Sequence, residues 1–563
     1  MLQVEVRQNL FPLSQFWERG LGGEDLVALL CCALALLLAA ALSACAPQIG
    51  AAPEPAEPYD LLITGGTVID GTGAPGYSAD VALRGDRIVR VSREPLPREG
   101  AVRVIDATGR VVAPGFIDLH AHLEPLLEMP DAESHVRQGV TTALGGPDGS
   151  GPWPLGAYLD SAQAAGLGMN VAHLVGHNTI RREVMGMEAR RPTAAELERM
   201  RQMVARGMGE GAFGLSTGLL YTPGTYSETD EVVALARAAA DSGGIYTSHL
   251  RAEGLGLIEG VSEAIEIGRL ARIPVVLTHH KAVGRQMWGQ SHRTLAMVDS
   301  ARAAGIDVMV DQYPYTATHT GIGVLVPAWA MAGGDTAFAR RLRAPVLRDS
   351  ILAGIVFNIL NDRGGGDLRR VQFSGFPSQR ELEGRTLHDL AVSRGLEPTP
   401  QNAAPLVIEA AQRGGVTAIY HVLDEGDVER IMRHPQTMVA SDGRLSRPGE
   451  GHPHPRAYGT FPRVLGHYVR EQQVLPLEEA IRKMTSMPAE RLGLSDRGRL
   501  AEGAFADITI FDPRTVRDRA TFEEPHQYPD GIDFVIVNGI VTVDGAVLSE
   551  ARAGRVLRRG REQ

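Results

Sequence analysis

From residue 111 onward the chain repeats one pattern: a short apolar run, a turn, a longer stretch with helical periodicity, and then another apolar run. Residues 111–117, 141–146, 170–175, 213–216, 244–247, 274–278, 307–312 and 437–440 read as strands. The stretches between them carry helix signals. Thr193-Ala194-Ala195-Glu196 is a capping box, with Leu197, Met200 and Val204 following on one face. Leu257, Ile258, Val261, Ala264, Ile265 and Gly268 make another apolar stripe. Strands that alternate with crossover helices must lie parallel, and eight such units argue for a closed (β/α)8 barrel. The expected class is therefore α/β: a TIM-like barrel over residues 114–487. An insertion near 330–420 is longer than one βα unit needs and has helical segments of its own.

The flanks have a different texture. Residues 59–113 read as short strands and turns, such as Leu61-Leu62-Ile63-Thr64 before Gly65-Gly66, and residues 488–563 return to the same pattern. Both β-rich ends flank the barrel, so the economical arrangement is one small β-sandwich domain built from both termini. Ahead of it, residues 26–44 carry no charge, and Leu42-Ser43-Ala44-Cys45 resembles the lipobox of bacterial lipoproteins. That resemblance implies a signal peptide over 1–45, lipidation of Cys45 and a Pro/Ala/Glu-rich tether over 46–58, the alternative being an uncleaved anchor helix. The expectation is an exported protein, anchored by lipid to a bacterial membrane on the periplasmic or cell-surface side.

Composition narrows the chemistry. The net charge is −11 and no basic run stands out, so nothing suggests a nucleic-acid partner. The only cysteines are Cys31, Cys32 and Cys45, which leaves the barrel without a disulfide or a thiolate metal ligand.

A barrel of this kind displays its chemistry at the carboxyl ends of its strands. The first strand ends in His120-Ala121-His122, whose alternate side chains share a face and form half of a divalent-metal site. The second runs into Asp148, the third into His177 and the fourth toward Tyr221. The fifth ends at His249, the sixth at His279-His280-Lys281 and the eighth at Asp442. Any one of these is ordinary as a satisfied polar residue. Together they are not.

Pro114-Gly115-Phe116-Ile117-Asp118-Leu119-His120-Ala121-His122 resembles the first-strand motif of the amidohydrolase superfamily. Ser248-His249-Leu250-Arg251-Ala252-Glu253-Gly254, His279-His280-Lys281, Ala440-Ser441-Asp442-Gly443 and the run from His454 to Arg463 are similar to the D-aminoacylase (N-acyl-D-amino-acid deacylase) branch. The resemblance implies zinc held by His120, His122, Asp148, His249, His279 and Asp442, as one tight site and a second, weaker one. His279 is preferred to His280 because it directly follows the strand. Asp148 stands where the branch has a bridging cysteine, and harder oxygen replaces sulfur there. Asp442 would act as general base and then general acid. Tyr221, Lys281 and Arg456 would hold the substrate carboxylate, with His177 at the acyl side or oxyanion. The implied partner is a small N-acyl-D-amino acid or related D-peptide. Alternatives are a cyclic amidase of the dihydropyrimidinase kind, a D-residue dipeptidase, or a catalytically silent ligand-binding lipoprotein.

Overall fold

The computed structural model describes residues 58–560 together with Val27, Ala28, Cys31, Leu34 and Ala35. Cys45 and the rest of the lipobox lie outside the described residues. The barrel is built from eight parallel strands among the described residues. Phe116–Asp118, Val140–Gly145 and Asn170–His173 pair in that order. The third strand breaks at Leu174 and resumes as Val175–Gly176. It pairs onward through Gly214–Gly218, Ile245–His249, Val275–Leu277, Val308–Gln312 and Thr437–Val439. Alternation sorts the side chains. Leu215, Tyr246, Val275, Leu277, Val308 and Val310 face the helices, where they pack on Val204, Val232, Val261, Ala264 and Val298. Ile117, Leu144, Ala172, Phe213, Ile245, Val276 and Met438 belong to a second apolar cluster, which fills the barrel. Each fully buried side chain of this size stabilises the fold by roughly 1.5–3 kcal/mol.

The seam between the eighth and first strands sits where the chemistry is. Gly443–Arg444 pairs in parallel with Ala121–His122. Above it, the Asp442 amide donates to the His120 carbonyl at 2.8 Å. Asp118 braces the same junction: its Oδ1 accepts from the Ser441 amide at 2.9 Å and from the His120 amide at 3.2 Å. Barrel closure thus places His120, His122 and Asp442 side by side.

One expected strand proves to be two. The apolar run 111–117 is expected as a single barrel strand, but Val111–Pro114 pairs with Leu61–Val68 and Ile508–Phe511 in the small β domain. Only Phe116–Asp118 belongs to the barrel. The chain crosses at Gly115, where a Cβ would lie 2.2 Å from Thr141 Oγ1, so only glycine allows the handover. The small domain contains strands from both flanks in one nine-stranded sheet, with Leu61–Val68 and Tyr77–Arg84 beside Val111–Pro114 and Ile508–Phe511, Ile532–Val537 and Ile540–Asp544 beyond. Ile63, Val81, Leu83, Ile88, Ile105, Val112, Ile508 and Ile510 form its core.

The insertion between the seventh and eighth strands has helices, as expected, and also a three-stranded antiparallel sheet. Its strands are Thr318–Gly321, Val371–Gly375 and Thr417–Tyr420, and the first precedes the expected start of the insertion. Ile351, Ile355, Ile359, Phe373, Val407 and Tyr420 give it a core of its own.

Candidate metal centre and substrate cavity

At the carboxyl ends of the strands a cavity of about 720 Å³ opens, lined by His122, Asp148, Tyr221, His249, His279, Lys281, Asp442 and Arg456 among others. Three of these residues sit at sharp backbone turns: Asp148, His279 and Asp442 have φ of 55°, 37° and 48°. Left-handed backbone is costly for residues with a Cβ and tends to cluster at functional sites. The turn at His279 is held by Asp311, whose Oδ1 accepts from the His279 amide at 2.5 Å.

The expected ligands fall into two groups that share Asp148. In the outer group, His120 Nε2 lies 3.5 Å from Asp148 Oδ2 and 3.5 Å from Asp442 Oδ1. His122 Nε2 is 3.6 Å from Asp148 Oδ2 and 3.2 Å from Asp442 Oδ1. In the inner group, His249 Nδ1 is 3.6 Å from Asp148 Oδ2, and His279 Nε2 is 3.4 Å from Asp148 Oδ1. Within each group the candidate ligand atoms lie within 4.8 Å of one another.

The residues present fit a cation. His120 Nε2, Asp148 Oδ1, His249 Nδ1 and His279 Nε2 are buried polar atoms without a hydrogen-bond partner, a costly arrangement that a divalent ion would resolve. Nitrogen and carboxylate oxygen without thiolate suit zinc or a harder divalent metal. His280 turns away, with Nε2 2.7 Å from the Thr294 hydroxyl.

Electrostatics separates the members. Burial pushes the Asp442 carboxyl up, but the Arg456 guanidinium and the imidazoles of His120, His122 and His279 hold it far below the usual range. Asp148 is likewise lowered, against burial, by His120 and His279. Burial and Lys281 depress His279, yet Asp148 and Glu253 raise it to about 9. His122 rises well above its ordinary value, because Glu124, Asp148 and Asp442 outweigh its burial. His249 is lowered by burial.

Of the expected substrate contacts, Tyr221, Lys281 and Arg456 line the cavity. Thr320 Oγ1 donates to the Tyr221 hydroxyl at 3.1 Å. Arg456 forms an ion pair with Asp442, Nη1 to Oδ2 2.8 Å, and its guanidinium lies 4.6 Å from the Tyr313 ring centre. His177 is not brought there. It opens the helix His177–Met185 and is buried against Glu231, Nε2 to Oε1 3.0 Å, with Arg181 on the other carboxylate oxygen. A histidine following a strand can head the next helix rather than face the mouth, and this one does.

The structure also adds residues to which the sequence reading assigned no role. Glu253 and Arg363 lie together at the inner group, and Glu124 and Arg444 at the outer. Tyr313 and His319 line the cavity as well. Glu253 follows His249 by four residues in a segment already notable for its resemblance, but loop positions have no periodicity from which a contact can be inferred.

Residues 103–345 and 363–543 match the model of the amidohydrolase family. The chain belongs to the amidohydrolase family. An N-acyl-D-glutamate deacylase of Alcaligenes xylosoxydans xylosoxydans is 39% identical to this amidohydrolase over 527 residues, which is 89% of this chain and 97% of the relative. A crystal structure of D-aminoacylase superposes with a TM-score of 0.76 at 37% identity, covering 89% of this chain and 100% of that one. The N-acyl-D-glutamate deacylase of Bordetella bronchiseptica, solved with zinc and a phosphonate that mimics the tetrahedral intermediate, superposes with a TM-score of 0.75 at 36% identity, with the same coverage. The architecture of this amidohydrolase, a barrel with a small β domain, is that of these relatives. So is its nature as a hydrolase with a metal-binding centre.

Proposed function

We propose that this amidohydrolase removes the acyl group from N-acyl-D-amino acids, using zinc held by His120, His122, Asp148, His249, His279 and Asp442. The observation that carries the reading is the convergence of two metal-ligand groups, one ionised aspartate and two cations on a single cavity. The D-configuration and the linear amide come from the relatives, two of which are N-acyl-D-glutamate deacylases.

When bound, zinc supplies Lewis acidity to a carbonyl oxygen and makes water more acidic by several pK units. The protein supplies the rest. Asp442, kept ionised, takes the proton from the attacking water and returns it to the departing amine nitrogen. Lys281 and Arg456 pair with the substrate carboxylate, helped by the Tyr221 hydroxyl, and fix the scissile amide beside Asp442. Arg456 then serves two carboxylates. As the substrate's carboxylate draws on its charge, Asp442 becomes a stronger base at the moment it is needed. A simple dihydropyrimidine or hydantoin ring has no free carboxylate for this pair, which disfavours the dihydropyrimidinase-like alternative.

Two cations would share Asp148, with the inner one held more tightly. The lipobox-like Leu42-Ser43-Ala44-Cys45 supports an exported, lipid-anchored protein acting on peptide-derived D-residues outside the cytoplasm. The test is a panel of N-acetyl-D- and N-acetyl-L-amino acids, D-residue dipeptides and hydantoins offered to the zinc-loaded protein. Turnover of D-amides is expected, with a loss of roughly 10²–10⁴ in kcat for Asp442→Asn. A panel left untouched, or an Asp442→Asn variant as active as the wild type, would end the proposal.

A further inference from the structure

Glu253 is almost completely buried, at 2% exposure, and stands behind the inner ligand group on the side away from Asp148. Its Oε2 lies 3.4 Å from His249 Nε2, while the other ring nitrogen of His249 faces Asp148. Its Oε1 lies 3.2 Å from His279 Nδ1, while Nε2 of that ring faces Asp148. One carboxylate thus lies within ion-pair distance of the rear nitrogen of both inner imidazoles, where His249 Nε2 has no hydrogen-bond partner and His279 Nδ1 also meets the Lys281 ammonium. A carboxylate only accepts, so it favours a proton on each rear nitrogen and leaves each front nitrogen with its lone pair free.

We propose that Glu253 is the positioning residue of the inner half of the metal centre: its buried charge favours Nε2–H on His249 and Nδ1–H on His279, so that Nδ1 of His249 and Nε2 of His279 are presented to a cation with Asp148. The proposal rests on the reading of these residues as metal ligands. Lys281 works against this tautomer at His279. Its Nζ is 2.6 Å from His279 Nδ1 and 2.7 Å from the His279 carbonyl, and an ammonium can only donate. Left alone with Nδ1 it would favour the unprotonated nitrogen and drive the ring proton to Nε2, where the metal must bind. Glu253 Oε1, 2.6 Å from the same ammonium, and the His279 carbonyl give Lys281 two other acceptors, so the ligating tautomer is reached when the ammonium turns its protons to them and moves off Nδ1.

The second oxygen reaches out of the barrel. Arg363 Nη2 donates to Glu253 Oε2 at 3.1 Å, and Arg363 is itself 2% exposed. It stands two residues after the insertion helix Pro345–Asn361. Through this pair the insertion reaches the inner ligand group, and Glu253, flanked by Lys281 and Arg363, is not left as an uncompensated buried charge.

Zinc affinity, read by competition with a chelating chromophore on the full-length protein without substrate, tests this independently of which amide is cleaved. Glu253→Gln keeps the shape and replaces one acceptor oxygen with a donor. The tighter zinc equivalent is expected to weaken by about 10–100-fold, with activity recovering in excess zinc. Arg363→Met leaves the carboxylate in place and is expected to stay within about threefold of wild type, since it touches neither ring. Unchanged zinc affinity in Glu253→Gln, or an equal loss in Arg363→Met, overturns the proposal. Should Glu253→Gln not fold, ¹⁵N-histidine spectra of the zinc-loaded wild type decide: the proposal requires Nε2–H on His249 and Nδ1–H on His279, and the opposite tautomer on either ring refutes it.

Discussion

The two halves of the metal centre share Asp148 and use the same donor types, yet they are embedded differently. In the inner half, His249 and His279 are 4% and 2% exposed, and the carboxylate behind them, Glu253, is buried between Lys281 and Arg363. In the outer half, the His122 side chain is 24% exposed, and the carboxylate behind it, Glu124, is 42% exposed and paired with Arg444 at the surface. His122 Nδ1 does meet Glu124 Oε1 at 3.0 Å, a shorter contact than either made by Glu253. Contact length is therefore not what separates the halves. A buried outer-shell carboxylate works in a low dielectric and cannot swing away, whereas an exposed one is screened and competes with water. Affinity should follow the embedding of the supporting shell rather than the identity of the ligands.

The sharpest way to break this comparison is to remove one ligand from each half. His279→Ala should lose the tighter zinc equivalent and take activity to background, because it deletes a direct ligand. The effect should exceed the roughly 10–100-fold that loss of an outer-shell partner brings. His122→Ala should lose only the weaker equivalent, leaving the first zinc in place and a measurable turnover. Zinc stoichiometry after gel filtration, measured beside kcat, separates the two. Equal losses would mean that the halves are a single cooperative site.

Much of this arrangement was legible in the sequence because barrel geometry converts position in the chain into position in space. Histidines that follow an apolar run at the end of a barrel strand are expected at the mouth, and His120, His122, His249 and His279 lie there. The same rule misplaces His177, which opens a helix and pairs with Glu231. It also could not divide residues 111–117, since a strand handed from one sheet to another reads like a single strand until Gly115 is seen pressed against Thr141. The pairing of Glu253 with Arg363 spans 110 residues and joins a loop to the insertion, so no local periodicity announces it. The insertion sheet was missed for a related reason. Its strands are short, and two of them are separated by two helices, Leu387–Ser393 and Pro400–Arg413.

Acidity gives a second, smaller lever. Imidazole must be neutral at the ligating nitrogen, so a ring whose pKa is raised to about 9, as at His279, is protonated below that pH and proton competes with metal. Zinc affinity at the inner half should therefore rise by about tenfold per pH unit up to about 9 and then level. His249, lowered by burial, is already neutral near pH 7 and adds nothing to the slope. Zinc binding measured from pH 6 to 10 in a non-coordinating buffer checks this. A flat profile across pH 7–9 would show that the proton on His279 does not contend with the metal.

The smallest effect belongs to Glu124→Gln, where two consequences oppose each other. Glu124 holds the His122 ring and so supports ligation, but its charge also helps raise His122 well above its ordinary pKa, which favours the competing proton. Removing the charge weakens the support at every pH and lowers the pH at which the proton leaves. Near neutrality these nearly cancel, and the weaker zinc equivalent should change by only a few-fold, within the modest range of exposed charge pairs. Above the pKa of His122 only the lost support remains, so the variant should bind more weakly than wild type there. Its profile of affinity against pH should be shallower. Glu253 also helps raise His279, so the same opposition exists at the inner half, but there the lost support falls on two buried rings at once and is expected to outweigh it. If Glu124→Gln instead cost as much as Glu253→Gln across the whole range, exposure would not be what distinguishes the two halves, and the tighter site would have to be explained by ligand geometry alone.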